Sequence, residues 1–270
     1  MMITLSGRFR RRLPLTLAVQ LFVVFVCGTV LVAEITESLH SRQRELRDSR
    51  TDAVNLSRSI GRHLDDCFDL AEVLLTSVVS RVNQLPINAE TLKELHVMMR
   101  QSAAYAPVID GINLYDEHGY WLANSFSPST VPYVYTIADR PIFKYHQNHE
   151  DLGTHVGAVG LSRATGKSVV VVSRRFNKPD GSFGGMVSVS ISMDYFQHYM
   201  KAFDIGSLGT MYVASSVDRM VLARVPYSAE IVGRSFPAGT IWPHVEKTPD
   251  GVWTSPSQTD GRIRINSYHA

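Results

Sequence analysis

One uncharged stretch near the start of the chain limits what this protein can fold into more than any other feature. Residues 13–33 contain no charged side chain over 21 positions, and an α-helix of that length crosses the hydrocarbon core of a bilayer. The stretch therefore predicts a transmembrane helix. A cleaved signal peptide is the alternative, but its apolar region is usually shorter, about 7–15 residues, and Leu31 fits poorly at position −3 before a cut after Ala33.

The charges around this stretch predict its orientation. Four arginines immediately precede it, namely Arg8, Arg10, Arg11 and Arg12. Residues 1–33 contain no acidic residue. By the positive-inside rule, residues 1–12 form a cytoplasmic basic tail, and the chain after residue 33 lies outside. The sequence thus predicts a single-pass protein of a bacterial inner membrane with a periplasmic body, and the lipid bilayer is its first expected partner.

The rest of the chain carries almost no net charge. Four of the 27 basic residues lie in the first 33 positions, which leaves 23 basic against 25 acidic residues beyond them. A body this nearly neutral presents no basic field for a phosphate backbone, so nucleic acid is not expected as a partner. The two cysteines, Cys27 within the apolar stretch and Cys67 far outside it, exclude an internal disulfide framework.

Residues 34–85 favour one long helix, since Gly61 is their only glycine and the first proline after them is Pro86. Apolar residues recur there every seven positions in two stripes: Leu46, Ala53, Ile60, Cys67 and Leu74, and Leu64, Ala71, Val78 and Leu85. Such stripes pack on the helix's own domain or form the seam of a parallel homodimer. We expect both uses, with the pairing segment nearest the membrane.

After Pro86 the sequence predicts helices followed by antiparallel strands. Helical periodicity covers residues 89–105 and returns at 193–203. Strand patterns around turn residues predict two hairpins, 110–115 with 120–124 and 168–175 with 183–191. Further short strands are predicted at 210–215, 219–224, 251–255 and 262–268. The fold class is therefore α+β, with two lobes that are each built on an antiparallel sheet.

Five short segments carry a resemblance to a known family through their order and spacing. They are residues 138–143 (Ala-Asp-Arg-Pro-Ile-Phe), 165–167 (Thr-Gly-Lys), 173–175 (Ser-Arg-Arg), 180–185 (Asp-Gly-Ser-Phe-Gly-Gly) and 222–226 (Leu-Ala-Arg-Val-Pro). In these segments the chain resembles the extracytoplasmic double Cache sensor, a pair of PAS-like lobes found in bacterial diguanylate cyclases, histidine kinases and chemoreceptors. The resemblance covers residues 34–270.

The resemblance implies a division of the chain. The expected parts are a transmembrane helix at 13–33, a stalk and dimerisation helix at 34–85, a membrane-distal lobe at 86–200 that binds the signal, and a membrane-proximal lobe at 201–270. Family members continue with a second membrane helix and a cytoplasmic output domain. Because this sequence stops at Ala270, just after a strand pattern, we expect the proximal lobe to be incomplete.

The resemblance also implies ligand-binding residues. Amino-acid-binding members use a tyrosine and, five residues later, an arginine, which Tyr135 and Arg140 match. Of the two aromatic residues that follow in the family only the second is aromatic here, Phe143, and Ser190 stands where the family has an aspartate. Arg140 can clamp a carboxylate with its planar fork, whereas no charge remains to hold an amine. A small carboxylate or another anion is the implied ligand; the alternative role of Arg140 is a structural ion pair with Asp139 or another nearby acid.

Strand alternation and aromatic rings add further candidates. Arg174 and Arg175 end a predicted strand, so one side chain points to each face and one of them could join the pocket. Tyr115, Trp121 and Tyr133 supply rings that line ligand clefts, although strand aromatics also serve as ordinary core. The candidate ligand-binding residues are Tyr115, Trp121, Tyr135, Asp139, Arg140, Phe143, Arg174 and Ser190.

The sequence predicts no metal, cofactor or catalytic residue. His146, His149 and His155 fall within ten residues, but their polar neighbours are typical of a hydrated loop. The segment 166–168 (Gly-Lys-Ser) lacks the earlier glycine of a phosphate-binding loop, since position 161 is leucine. The predicted function is a membrane-bound, dimeric sensor of a small molecule. Two rivals remain: an anchored metal-dependent hydrolase that uses these histidines, and a partner that dimerises with a receptor without sensing.

Overall fold

The computed structural model describes residues 15–126, 136–257 and 260–270. The chain divides into two compact units. One comprises the chain up to Leu56 together with Val252–Ser267, and the other comprises Ser57–Gly251 with Tyr268–Ala270. The second is called the main unit below, because it contains the central sheet and every described residue of the candidate site.

Helices and strands follow one another in the order of an α+β fold. The helices are α1 (Leu15–Gln84), α2 (Ala89–Tyr105), α3 (Pro141–Asn148), α4 (Met193–Met200) and α5 (Trp242–Val245). The strands are β1 (Ile109–Asp116), β2 (Trp121–Asn124), β3 (His155–Val156), β4 (Gly160–Leu161), β5 (Ser168–Asn177), β6 (Phe183–Ser192), β7 (Met211–Ala214), β8 (Val221–Val225), β9 (Asp250–Pro256) and β10 (Ile263–His269). The predicted fold class is confirmed: a long, initially apolar helix precedes antiparallel sheets.

Helix α1 is continuous over 70 residues, since no proline occurs in the sequence between Pro14 and Pro86. Among the described residues it is the one helix that is long and apolar enough to cross a membrane. Its first part exposes large apolar side chains such as Phe22 and Phe25, as expected where lipid is the solvent. After a short turn, Asn88 caps α2 by accepting a hydrogen bond from the Thr91 backbone N–H at 2.9 Å.

The predicted stripes of α1 are partly buried in the main unit from Ile60 onward, where Leu64, Leu74 and Leu85 are only half-buried. The buried positions of this segment include Ile60, Cys67, Ala71, Leu75, Val78 and Val82. Packing on the chain's own domain, one of the two expected uses of the stripes, is therefore confirmed for this part of the helix. Leu46, nearer the N-terminus, is exposed, and the homodimer seam stays a prediction there.

A six-stranded antiparallel sheet lies at the centre of the main unit. Its order is β2-β1-β6-β5-β3, and β4 also pairs with β5. The pairs β1–β2 and β5–β6 are the two predicted hairpins. A glycine is required at position 185, where a Cβ would lie only 2.0 Å from the carbonyl oxygen of Tyr115. Gly185 thereby lets β6 approach β1 closely, at a φ of +137° that other residues rarely adopt.

The register of this sheet separates its residues onto two faces. Ser188 of β6 lies between Asn113 of β1 and Ser173 of β5, and Ser173 in turn contacts His146 of α3. The face that these residues share is called the α3 face. The opposite side is called the apolar face, and its fully buried members include Ile112, Leu114, Val187, Val189 and Ile191.

Strand β6 continues into α4 without a loop. Ser192 is both the last residue of the strand and the N-cap of the helix, where its Oγ accepts a hydrogen bond from the Tyr195 N–H at 3.4 Å. Helix α4 contacts β8 through Gln197, whose Oε1 accepts a hydrogen bond from the Arg224 N–H at 2.9 Å. Strand β7 pairs with β8, and β9 pairs with β10. The boundary between two lobes near residue 200 stays a prediction.

Candidate ligand-binding site

The α3 face is polar although it is buried. Its polar side chains expose less than a tenth of their residue surface, and they are Asn113, Ser173, Arg175, Ser188 and Ser190 from the sheet and His146 from α3. A buried polar group without a hydrogen bond costs about 1–3 kcal/mol, so a face that serves only as core would be apolar. This concentration of polar groups marks the α3 face as the candidate site.

Part of the hydrogen-bonding capacity of this face is unused. His146 Nε2 lies 2.8 Å from Ser173 Oγ, and Asn113 Nδ2 donates to Ser188 Oγ at 3.4 Å. Asn113 Oδ1 and His146 Nδ1 are buried and have no hydrogen-bond partner among the described residues. The face therefore offers an acceptor and a second ring nitrogen to a bound molecule.

The Tyr115 hydroxyl supplies a neutral polar group in the neighbourhood of two cations. Burial raises the pKa of Tyr115 to about 12, while hydrogen bonds with the side chains of Trp121 and Ser188 act in the opposite direction. The positive charges of Arg140 and Arg163 also act to lower this pKa. The Tyr115 hydroxyl therefore lies close to the Trp121 indole and to the guanidinium groups of Arg140 and Arg163.

Arg140 occupies the N-cap position of α3 and is half-buried. Its Nη2 donates to the carbonyl oxygen of Leu161 at 3.2 Å. Asp139, the proposed structural partner of Arg140, instead receives two hydrogen bonds from Arg163, at 2.9 and 2.6 Å. These hydrogen bonds from Arg163, with a smaller contribution from its charge, hold the pKa of Asp139 below its usual value. Within the described residues no carboxylate lies within 4 Å of the Arg140 guanidinium, which leaves its charge available.

The two adjacent arginines of β5 point to opposite faces, as strand alternation predicts. Arg174 lies on the apolar face, where it donates to Thr76 Oγ1 at 2.9 Å and to Glu72 Oε1 at 3.1 Å. Arg175 lies on the α3 face and is 4% exposed. It donates to the carbonyl oxygens of His146 and His149 and to Asn177 Oδ1, and its guanidinium lies 5.1 Å from the Phe183 ring centre. Arg175, rather than Arg174, is therefore placed with the other candidate residues.

A buried carboxylate that sequence reasoning missed lies beside Ser190. Strand β1 has a bulge just before Gly111, which pairs with Ser190, so Asp110 is the bulged residue. The Asp110 side chain is 1% exposed, accepts a hydrogen bond from Thr165 Oγ1 at 2.7 Å and lies 3.5 Å from Lys167 Nζ. The only sequence signal was the Thr-Gly-Lys turn at 165–167, and nothing in that turn indicates a partner on β1.

The structure brings most of the predicted ligand-binding residues together. Tyr115 and Phe143 pack in one buried cluster with Met186, and Trp121 packs against it. Ser190 is buried on the same face of the sheet, and Arg140 lies at the start of the helix that covers it. The exceptions are Arg174, which faces α1, and Asp139, which is exposed and paired with Arg163. Tyr135 and Tyr133 lie outside the described residues.

The three clustered histidines do not converge on one point. The Tyr145 ring stacks on both His149 and His155, with ring centres 4.3 and 3.7 Å apart, so it separates the two imidazoles. His146 is fully buried, and its burial lowers its pKa to about 4, with smaller contributions from His155 and Arg175. No group of three or more His, Cys, Asp or Glu side chains within the described part of the chain could hold a metal ion.

Comparison with known proteins yields structural neighbours. No family model matches the sequence, and no curated protein matches it. The extracellular domain of rpHK1S-Z16, described as a histidine kinase, is 28% identical with a TM-score of 0.69 over 82% of this chain and 88% of that one. The extracellular domain of vpHK1S-Z8, also described as a histidine kinase, is 14% identical with a TM-score of 0.60 over 83% and 92%. The ligand-binding domain of the Campylobacter jejuni chemoreceptor Tlp3, in complex with 4-methylisoleucine, is 13% identical with a TM-score of 0.59 over 81% and 85%.

These neighbours define the class of fold to which the chain corresponds. They are extracellular sensor domains of histidine kinases and a chemoreceptor, and the chain has the fold of a Cache-like sensor domain, as the resemblance implied. The neighbours are receptor domains rather than enzymes, which supports a sensor role. Together with the apolar N-terminal helix, they indicate a membrane-anchored protein with an extracellular body.

Proposed function

We propose that this chain is the extracytoplasmic part of a membrane receptor and that its α3 face binds a small carboxylate or another small anion. The observation that carries the proposal is Arg175. Its guanidinium is buried, yet it donates hydrogen bonds to neutral oxygens. A buried charge without a counter-ion is costly, and a bound anion would provide that counter-ion.

The balance of charges around the site favours an anion. Two of the nearby acids are already neutralised, because Lys167 accompanies Asp110 and Arg163 binds Asp139. Arg140 and Arg175 remain as the cations without a carboxylate partner among the described residues. A guanidinium donates two parallel hydrogen bonds to a carboxylate, so either arginine could bind the acidic end of a ligand.

The same balance disfavours ligands that carry an ammonium group. Ser188 and Ser190 present hydroxyls rather than a carboxylate on β6. Asp110, which precedes the Gly111–Ser190 pair, is buried and held by Thr165 and Lys167. We therefore propose that the ligand is an acid without an amine, in contrast to the 4-methylisoleucine and L-valine bound in the Tlp3 complexes.

Binding measurements on the full chain in detergent test this proposal. We would screen small mono- and dicarboxylates, phosphate and sulfate against amino acids and amines by thermal shift, because a ligand at 100 times its Kd stabilises the folded state by about 2.7 kcal/mol. Calorimetry then compares Arg175→Gln and Arg140→Gln with Arg174→Gln, the matched control on the other face. We expect a loss of roughly ten- to 150-fold in affinity for the first two and little change for the control. Equal losses at positions 174 and 175 would refute the assignment of the α3 face.

We also propose a parallel homodimer and a cytoplasmic N-terminus. Ile35, Leu39 and Leu46 are exposed on α1, and their spacing suits a helix seam that a second copy would cover. The arginines before residue 13 favour an N-terminus that remains inside. A reporter fused after Ala270 should be active outside the cytoplasm, and Leu39→Asp should shift the detergent-solubilised chain toward a monomer.

A further inference from the structure

A continuous row of polar side chains crosses the α3 face from strand to strand. The paired positions of the register run from β2 to β3 in the order Asn124, Asn113, Ser188, Ser173 and His155. Residues directly opposite each other on antiparallel strands lie on the same face of the sheet. The first four members of the row expose at most 4% of their surface, so they must find hydrogen bonds within the protein or in a bound molecule.

The hydrogen bonds along this row orient the Asn113 amide. Asn113 Nδ2 donates to Ser188 Oγ at 3.4 Å. The hydrogen bond between Ser188 and Tyr115 acts to lower the pKa of Tyr115, as expected when the serine hydroxyl donates to the phenol oxygen. Because a hydroxyl has one proton, Ser188 can then only accept from Asn113. Asn113 Oδ1 is therefore left as a buried acceptor without a donor among the described residues.

The same reasoning assigns the tautomer of His146. Ser173 Oγ donates to the carbonyl oxygen of His155 at 3.4 Å, so it accepts from His146 Nε2–H at 2.8 Å. Burial keeps His146 neutral by lowering its pKa to about 4, and a neutral imidazole carries one proton. His146 Nδ1 is thus a second buried acceptor, and it has no partner in the described part of the chain. The α3 face therefore lacks hydrogen-bond donors rather than acceptors.

We propose that the acid bound at the α3 face is a hydroxy acid, and that its hydroxyl donates a hydrogen bond to Asn113 Oδ1. This inference rests on the proposed function, because it names the kind of acid that the same site selects. An acceptor that is buried without a donor is destabilising, and the ligand hydroxyl removes that cost when it binds. A site built to bind a hydroxyl discriminates against the analogue that lacks it.

The chemistry of the row favours a hydroxyl over an ammonium group as the donor. An ammonium group brings a positive charge that must be paired when it is buried. The row contains amides, hydroxyls and an imidazole, and none of its members is a carboxylate. A hydroxyl donates without adding charge. A simple acid brings no donor and leaves the acceptor of Asn113 unpaired. We therefore expect hydroxy acids to bind better than both simple acids and amino acids of the same size.

Matched pairs of acids that differ by one hydroxyl test the inference on the full chain in detergent. Calorimetry compares lactate with propionate, 3-hydroxybutyrate with butyrate, and malate with succinate. We expect the hydroxylated member of at least one pair to bind about tenfold more tightly, and lactate to bind more tightly than alanine. Equal affinities within every pair that binds would overturn the inference and leave the anion site standing. Binding of none of these acids, nor of phosphate or sulfate, would refute the proposed function itself.

A substitution locates the bound hydroxyl. Leucine has nearly the shape of asparagine but no acceptor, so Asn113→Leu should keep the affinity for the simple acid and lose the roughly tenfold preference for its hydroxylated partner. Asn148→Leu, at an exposed asparagine of α3, is the matched control and should change neither affinity. Circular dichroism checks that both variants are folded. A hydroxyl preference that persists in folded Asn113→Leu would overturn the role of Asn113, and if that variant does not fold, the acid pairs on the wild type still decide.

Discussion

On β5, Arg174 and Arg175 are neighbours in sequence and belong to two different environments. Arg174 reaches α1 through Thr76 and Glu72, on the face whose other members are Leu114, Val187 and similar apolar residues. Arg175 lies among serines, Asn113 and His146 on the α3 face. One face buries hydrocarbon, and the other buries hydrogen-bonding groups that are incompletely paired.

The difference indicates how the sheet divides its tasks. Burial of apolar area contributes most of the stability of a domain, so the apolar face holds the strands to the helices behind them. Polar groups held in a dry site contribute less to stability and more to selective binding. We therefore expect substitutions on the apolar face to change unfolding and substitutions on the α3 face to change ligand binding.

The largest contrast should come from two neighbouring positions of the sheet. Leu114→Ala removes a fully buried side chain from the apolar face and should lower the free energy of unfolding by about 2–5 kcal/mol. Ser188→Ala on the α3 face should cost less, about 1–2 kcal/mol, because it removes the hydrogen bonds that the hydroxyl makes with Asn113 and Tyr115. Urea unfolding followed by circular dichroism measures both. A cost at Ser188 equal to that at Leu114 would show that the α3 face is ordinary core.

The buried histidine of the α3 face should make stability depend on pH. The pKa of His146 is lowered to about 4 in the folded state, whereas a histidine in the unfolded chain has a pKa near 6.5. Between these values the unfolded state binds the extra proton, so stability falls as pH falls from about 6.5 to about 4, by up to roughly 3 kcal/mol.

A substitution can assign this pH dependence to His146. Glutamine places an amide nitrogen near the position of Nε2 and does not titrate, so His146→Gln should flatten the stability curve between pH 6.5 and 4. His149→Gln, an exposed histidine on the same helix turn, is the control and should leave the slope unchanged. If both variants behave like the wild type, the acid sensitivity arises elsewhere in the chain.

Lys167, the exposed lysine that pairs with Asp110, should control the preference for ligand charge. Lys167→Met removes the ammonium group that lies 3.5 Å from Asp110, leaving a buried carboxylate that a ligand's ammonium group could neutralise. We expect about a tenfold shift in relative affinity toward amino acids over the corresponding acids, about 1.4 kcal/mol. Lys167→Arg keeps the charge and should keep the wild-type preference. Calorimetry with paired ligands that differ only by the amine decides between these outcomes.

The smallest effect concerns the arginine of the apolar face. Glu72 is half-exposed where Arg174 contacts it, so the ion pair should be worth only about 0.2–1 kcal/mol. A double-mutant cycle with Glu72→Gln and Arg174→Gln measures this coupling. The same variants should bind ligand normally. A coupling of several kcal/mol, or lost binding, would show that the two faces do not divide their tasks as described.

The sequence was most informative where structure depends on local pattern. The absence of proline between Leu15 and Gln84 and the seven-residue apolar repeat predict α1 and the part of it that is buried. Turn residues between strand patterns predict the two hairpins. A hairpin joins strands that are adjacent in the sequence, so its signal lies in neighbouring residues.

The candidate site was only partly predictable, because its contacts join distant segments. Alternation shows that Arg174 and Arg175 face opposite ways, but the identity of each face depends on where α1 and α3 pack. The pairing of Asp110 with Thr165 depends on a bulge in β1 and on a turn 55 residues away. Asn113 and Ser188 are 75 residues apart. Such contacts leave no periodic signal in a single sequence.

The direct passage from β6 into α4 has a mechanical consequence. A loop absorbs displacement by changing a few backbone dihedrals, but Ser192 ends the strand and begins the helix with no residue between them. If the proposed ligand tilts β6 at Ser188 or Ser190, we therefore expect α4 to move with the strand, and with it Tyr195, which contacts His63 of α1. In that case the displacement would reach the helix that begins in the apolar segment without passing through a loop.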